Sequence, residues 1–241
     1  MDDKTLTRQA AAYARDASRH HDAAVKALLA LAWDRRREGF SFSREDIYGE
    51  ALAICVDMSD KCATSARTRL ADIIGDAYDT IDEDTAWNAV YDDDTQARFD
   101  MAGSHLLSLL DVWIGVAVAQ GWSQQQTLEQ MRRYRTNPYG DPAWEGVPRV
   151  LLRWGRGYDK DIAKQLAKIG QDIIISGTRF AEWTDAAAKG ATYYIRRRGS
   201  TYDCPDCDAL CGYPIPIAEP FDFVHSRCMC YAEYHYEPLI P

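Results

Sequence analysis

The spacing of apolar residues in the first part of the chain predicts two long helices. Apolar side chains recur every three or four positions through residues 6–37, and Gly39 provides a stop. A second helix is predicted over residues 43–78, because Glu45 and Asp46 suit the first turn of a helix and the apolar spacing continues beyond them. The beginning of the chain is therefore expected to be helical.

The same periodicity continues after an acid-rich stretch. Residues 95–120 form a strong helical pattern that ends at Gly121. Ser123 and Gln126 have the spacing of a capping box, which predicts a further helix up to about residue 135.

The composition changes at residues 137–148, where proline and glycine are frequent and no helical period is visible. Such a stretch is typical of a connection between domains. We therefore divide the chain into a helical domain, residues 1–143, and a C-terminal module, residues 144–241.

The C-terminal module has a mixed pattern. A helix is predicted over residues 158–189 with a break at Ser176–Gly177, followed by a strand over residues 191–197. A proline-rich spacer is expected to be irregular, and residues 231–236 alternate as a final strand does. The predicted fold class is mainly α: helices first, then a small α+β module with a Cys/His cluster.

Composition and charge narrow the function classes. The chain has 241 residues, of which 46% are hydrophobic and 27% charged, as in soluble globular proteins. Its N-terminus, Met1-Asp2-Asp3-Lys4, does not have the pattern of a secretory signal, and no apolar run reaches the roughly 18 residues of a membrane span. We expect a cytoplasmic protein with reduced cysteines and no membrane contact.

The net charge of −9 disfavours a general nucleic-acid binder. Basic residues nevertheless cluster at Arg196, Arg197 and Arg198, which are candidates for phosphate contact or a solvated strand edge. The acid-rich residues 79–94 lack the glycine and the closing glutamate of a calcium loop. We interpret them as a solvated connection around a short turn that bears Trp87.

The clearest chemistry lies between residues 204 and 230, which contain five of the seven cysteines and one of the five histidines. Two thiols two residues apart can bind one metal ion from a single turn, and a second group about twenty residues later can complete a tetrahedron. The candidate ligands, called here the Cys/His motif, are Cys204, Cys207, His225, Cys228 and Cys230. Cys55 and Cys62 lie seven residues apart in a predicted helix, where burial as small apolar residues explains them.

Spacing alone leaves the ligand set open. Cys204 and Cys207 are the best-supported pair, and the second group offers three donors for two positions. Cys228 and Cys230 are expected to share one face, because alternate residues of a strand do so. Reduced cysteines favour a structural Zn²⁺ over disulfides, although a packed reduced cluster, or disulfides outside the cell, would use the same residues.

Several pieces of the module together resemble a known family. They are Thr178-Arg179, the run Ala187 to Gly190, Tyr193 to Ile195, Cys204-Pro-Asp-Cys207, Leu210-x-Gly212 and His225 to Cys230. This order resembles the C-terminal module of phage Mu F-like head morphogenesis proteins, over about residues 158–236. Cys211, Ser226 and Met229 depart from the family pattern, so Cys211 is predicted not to be a ligand.

The resemblance implies a minor head (capsid) protein of a tailed phage or a prophage. Such proteins are packaged in a few copies near the portal vertex and influence head assembly and the packaging or ejection of DNA. The implied partners are the portal protein and other capsid components, with packaged DNA as a further candidate. The implied location is the capsid interior of the virion, after assembly in the host bacterial cytoplasm.

A structural role without catalysis agrees with the residues, since no phosphate loop or Ser-His-acid set stands out. Two other readings use the same motif. In one, the module is a zinc-containing domain on a helical stalk that binds nucleic acid or protein. In the other, it belongs to a nuclease in which His225 is a general base and Arg196 to Arg198 hold phosphate.

Overall fold

The computed structural model describes residues 3–35, 40–136, 158–199, 204–221 and 228–238. The chain is mainly α-helical with a small sheet near its C-terminal end, as predicted. In chain order the elements are α1 (Asp3–Arg35), α2 (Glu45–Ala77), α3 (Glu83–Asn88), α4 (Asp93–Ala119), α5 (Gln124–Thr136), α6 (Tyr158–Ala188), β1 (Tyr193–Arg197), α7 (Pro205–Leu210), β2 (Pro214–Pro216) and β3 (Tyr231–His235).

The chain forms two compact units that do not follow its order. The middle unit consists of Arg15–Cys62 and Ala97–Ala167. The terminal unit consists of Met1–Ala14, Ala63–Gln96 and Lys168–Pro241. The predicted domain boundary between residues 143 and 144 lies outside the described residues.

In the middle unit, α2 and α4 approach closely through small side chains. A Cβ built on Gly103 would lie 3.1 Å from the Cβ of Cys55, and the Cys55 thiol donates to the Gly103 carbonyl oxygen over 3.5 Å. The Ser59 hydroxyl donates to the carbonyl oxygen of Phe99 over 3.3 Å. Cys55 and Cys62 are buried, which confirms their prediction as core residues. Burial raises the pKa of the Cys55 thiol to about 12.

Helix α4 is long and apolar enough to cross a membrane by length and composition. However, 56% of its most apolar window is buried within the protein, as in the core helix of a globular domain. Asp111, in the middle of α4, accepts hydrogen bonds from the Phe42 amide over 2.6 Å and from the Ser41 hydroxyl over 2.8 Å. It thereby holds the segment that leads into α2.

Local capping signals read from the sequence appear in the structure. Ser123 and Gln126 form the reciprocal bonds of a capping box, at 2.7 Å and 3.2 Å, at the start of α5. In the acid-rich stretch, Asp82 and Asp92 accept from backbone amides in the first turns of α3 and α4. The turn predicted there is the short helix α3, in which Trp87 is buried.

Helix α6 is continuous, so the predicted break at Ser176–Gly177 is wrong. The glycines of this helix are places of close packing in the terminal unit. A Cβ on Gly177 would lie 2.6 Å from a methyl carbon of Leu70, and a Cβ on Gly170 would lie 2.0 Å from Cζ of Tyr13. A lone glycine costs a helix only about 1 kcal/mol, and here it gives neighbouring side chains the space they need.

The sheet has the order β2-β1-β3, and both pairs are antiparallel. In the register, Tyr194 of β1 faces Ile215 of β2 and Tyr234 of β3. The strand β2 lies in the proline-rich spacer that was expected to be irregular. Pro214 and Pro216 are tolerated because β2 is an edge strand, where missing N–H groups break no central ladder.

The packing at Gly170 predicts that Gly170→Ala destabilises the protein by about 1–3 kcal/mol, because the new methyl group overlaps the buried ring of Tyr13. Urea-induced unfolding measures the change. Gly75→Ala is the matched control in the same unit, since nothing lies within 4 Å of that Cβ. Equal stability of the two variants would contradict the close approach.

Candidate metal centre

The core of the C-terminal module is built around the buried ring of Tyr194 on β1. Packed with it are Phe221 and three cysteines, Cys207, Cys228 and Cys230. The Tyr194 hydroxyl donates to the carbonyl oxygen of Pro220 over 3.2 Å, which ties the chain after β2 to this core. Cysteines thus take the place that aliphatic side chains usually fill.

A short helix presents the first thiols. Cys204 has an extended backbone (φ −139°, ψ 101°) and immediately precedes Pro205, which is the first residue of α7. Proline suits this position because its φ is already helical. The N–H group that proline lacks would have no partner within the helix at this position. The Asp208 amide donates to the Cys204 carbonyl oxygen over 2.9 Å and closes the turn. Cys207 is consequently buried, with the Cys204 thiol hydrogen-bonded to it.

The second group of thiols comes from the segment that leads into β3. The Sγ atoms of Cys207, Cys228 and Cys230 all lie within 4.8 Å of one another. These three residues, called here the cysteine cluster, are only 2%, 1% and 3% exposed. As predicted for residues two apart, Cys228 and Cys230 point to the same site, although they precede the strand rather than lie in it.

The spacing within the cysteine cluster suits metal binding. The Sγ atoms of Cys207 and Cys228 are 3.7 Å apart. A tetrahedral metal with metal–sulfur bonds of about 2.3 Å holds its sulfurs about 3.8 Å apart. A disulfide would need about 2.0 Å, and none of the seven cysteines is in a disulfide. The cluster can therefore bind a metal ion.

The fourth ligand position has two candidates. Cys204 lies next to Cys207 but is not one of the three thiols that share the 4.8 Å spacing. His225 lies outside the described residues. Cys211 is half-buried against the same core and is also not one of the three thiols. The structure thus brings together three of the five predicted ligands and places a fourth beside them.

Burial and proximity control the protonation of the Cys207 thiol. Burial raises the pKa of the Cys207 thiol, and hydrogen bonds to Cys204, Cys230 and Cys228 raise it further. A metal ion must therefore displace the proton of Cys207 as it binds. Its affinity is expected to fall as the pH is lowered, because protons compete for the same sulfurs.

Two glycines shape the backbone around the cluster. A Cβ on Gly199 would lie 1.6 Å from the carbonyl oxygen of Met229, the residue between Cys228 and Cys230. Gly212 follows α7 with a φ of +89°, a left-handed conformation that suits glycine. Its amide donates to the Arg196 carbonyl oxygen over 3.0 Å and returns the chain to β1.

The three arginines named as candidates for phosphate contact or for a solvated strand edge make contacts within the module. The Arg196 guanidinium is buried, and its Cζ lies 4.3 Å from the centre of the Phe221 ring. Arg197 pairs with Glu233 across β1 and β3 at 2.5 Å, and Arg198 pairs with Asp208 of α7. These contacts support a structural role for the triplet, while nucleic-acid binding stays a prediction.

A buried ion pair on α6 lies near Tyr231 of β3. The hydrophobic periodicity of the sequence did not indicate it. Arg179 Nη1 donates to Glu182 Oε2 over 2.7 Å, and both residues are on α6. The guanidinium also lies 5.9 Å from the centre of the Tyr231 ring. Burial, followed by the charge of Glu182, raises the pKa of Tyr78 and of Tyr234. The Arg-x-x-Glu spacing is the sequence signal that could have indicated this ion pair, because residues i and i+3 lie on the same face of a helix.

Comparisons with protein-family models, with curated proteins and with solved structures find no significant match to this chain. The resemblance to the Mu F-like module therefore rests on the motif residues themselves.

The contact at Gly199 predicts that Gly199→Ala impairs metal binding, because the methyl group must displace the Met229 carbonyl and with it Cys228 and Cys230. Titration with Co²⁺, followed by the thiolate-to-cobalt absorption band, is expected to show at least about tenfold weaker binding, as for other changes that disturb ligand orientation. Gly49→Ala is the control, since its Cβ contacts nothing. An unchanged titration would contradict the assigned role of Gly199.

Proposed function

We propose that this protein is a minor head protein of a tailed phage or a prophage, similar to the Mu F-like proteins, whose C-terminal module is closed by a structural zinc ion. The observation that carries the proposal is the convergence of Cys207, Cys228 and Cys230 on one buried point next to β1. In the Mu F-like proteins, a cysteine pair and a closing His/Cys motif likewise lie on either side of a spacer segment.

Zinc is the metal that suits this donor set. Thiolates favour soft or borderline ions, and zinc imposes no geometry beyond the tetrahedron that the sulfur spacing allows. Cys207, Cys228 and Cys230 would supply three ligands, and either Cys204 or His225 the fourth. Once bound, the ion would cross-link α7 to the segment that precedes β3.

A structural role is favoured over a catalytic one by burial. The three thiols are almost fully shielded from solvent, whereas a catalytic zinc keeps a position open for water or substrate. The arginine triplet is engaged with Phe221, Glu233 and Asp208. DNA contact through these arginines therefore has less support than a capsid role.

The proposed partners are the portal protein and other capsid components, and the proposed location is the interior of the capsid. This part of the proposal is supported by the family resemblance over residues 158–236. The long helices α1, α2 and α4 offer extended surfaces for such contacts.

Purified protein is expected to contain about one equivalent of zinc, and strong chelators are expected to unfold the C-terminal module. Elemental analysis and circular dichroism, with and without chelator, measure both. Cys207→Ser is expected to lose the zinc, because it removes one of the converging thiols.

Cys55→Ser is the matched control, since Cys55 is buried in the other unit and serine can still donate to Gly103. Less than about a tenth of an equivalent of zinc in wild-type protein, together with a fold that resists chelation, would end the structural-zinc proposal.

The capsid role predicts that the protein co-purifies with the portal protein encoded in the same phage or prophage region. Co-expression followed by affinity capture of the portal protein measures this association. The absence of a portal gene from the neighbourhood, or failure of the two proteins to associate, would argue against the role. DNA cleavage in the presence of Mg²⁺ that depends on His225 would favour the nuclease instead.

A further inference from the structure

Helix α2 carries an apolar row on its solvent side, within the middle unit. Tyr48, Leu52 and Val56 are 47%, 38% and 45% exposed, although the next turn of the same helix buries its apolar residues in the core. Residues four apart are neighbours on a helix surface, about 6 Å apart along the axis. These three residues, called here the α2 stripe, form a continuous apolar strip about 12 Å long.

A carboxylate stands at each end of the α2 stripe. Glu45 precedes Tyr48 by three residues and Asp60 follows Val56 by four, so both lie on the same side of the helix as the stripe. Both side chains are exposed. Within the part of the chain that the structure describes, neither Glu45 nor Asp60 forms an ion pair.

The other nearby carboxylates of α2 differ from Glu45 and Asp60 in their ion pairing and in the side of the helix on which they lie. Asp46 pairs with Arg44 at 2.8 Å, Glu50 with Arg35 at 3.2 Å, and Asp57 with Lys61 at 2.6 Å. At about 100° of rotation per residue, these three carboxylates lie roughly 120° to 160° around the helix from Leu52, whereas Glu45 and Asp60 lie roughly 20° and 80° from it. The carboxylates away from the α2 stripe are thus neutralised by ion pairs, whereas the two carboxylates at its ends have no ion pair among the described residues.

We propose that the α2 stripe is the docking site for a basic amphipathic helix of another protein. Apolar side chains of that helix, four residues apart, would cover Tyr48, Leu52 and Val56. A Lys or Arg near each end would pair with Glu45 and Asp60, whose helix positions are about 22 Å apart along the axis. The partner helix is therefore defined by its apolar row and by the separation of its two positive charges.

A second copy of this chain does not fit the same site. Two α2 stripes packed antiparallel would bring Glu45 of one copy against Asp60 of the other. Parallel packing would bring each carboxylate against its own equivalent. Both arrangements place like charges together, which opposes association, and the negative surface of an anionic membrane is disfavoured for the same reason.

The inference does not depend on the proposed function. Tyr48, Leu52 and Val56 belong to the middle unit, whereas the cysteine cluster belongs to the terminal unit. Loss of zinc or of portal binding would leave the docking site on α2 intact.

The test uses the full-length chain and a synthetic probe. The probe is a fluorescent, lactam-stapled helical peptide with three leucines at four-residue intervals. One lysine stands three residues before the first leucine, and another stands four residues after the last. Its twin has glutamate at both lysine positions. Fluorescence anisotropy is expected to show about tenfold tighter binding of the lysine peptide at low salt, with a smaller difference at high salt.

Substitutions on α2 then separate the apolar and the charged contributions. Leu52→Ser is expected to weaken binding of the lysine peptide about tenfold. Val118→Ser, at an exposed apolar residue of α4, is expected to leave it unchanged. The double variant Glu45→Lys, Asp60→Lys is expected to reverse the preference between the two peptides. The matched variant Glu50→Lys, Asp57→Lys is expected to preserve it.

Several results would overturn the proposal. Equal binding of the two peptides, no measurable binding, or a preference that survives the Glu45→Lys, Asp60→Lys change would remove the charge argument. Sedimentation showing a dimer that Leu52→Ser dissolves would assign the stripe to self-association. Binding to anionic vesicles that Leu52→Ser abolishes would assign it to a membrane. All substituted side chains are exposed, including those of the ion-paired control, and circular dichroism verifies that each variant is folded.

Discussion

The meeting of three buried thiols beside Tyr194 is the contact on which the C-terminal module depends. The sheet has strands of only five, three and five residues, and a sheet of this size buries little apolar surface by itself. Two segments far apart in sequence, α7 and the approach to β3, contribute sulfur atoms to its core. A metal ion held there would supply the cross-link that small domains otherwise obtain from disulfides.

Much of the helical architecture could be predicted because its causes are local. The capping box of Ser123 and Gln126 follows from residue spacing at the start of α5. The burial of Cys55 follows from residue spacing within α2. The continuity of α6 could not be predicted, since it depends on Tyr13 and Leu70 approaching its glycines from elsewhere in the chain. Strand β2 was missed for a related reason: its prolines argue against a strand unless it lies at an edge, and only the tertiary arrangement shows that it does.

The candidate site was predicted at the level of residue types and only partly at the level of ligands. The Cys-x-x-Cys spacing identified Cys204 and Cys207 as the best-supported pair. The structure instead groups Cys207 with Cys228 and Cys230 and leaves Cys204 beside them. Spacing specifies which thiols are near in sequence, whereas the turn at Pro205 and the approach of Met229 to Gly199 decide which sulfurs converge.

The prolines of β2 have a consequence beyond the fold of one molecule. Two of its three residues have no N–H group, so the outer edge of this strand has almost nothing to donate to an incoming strand. Edge strands with free donors and acceptors are where folded chains recruit one another into extended aggregates. Lateral growth of this sheet is thus blocked on the β2 side, so a second chain cannot extend it there by pairing backbone to backbone.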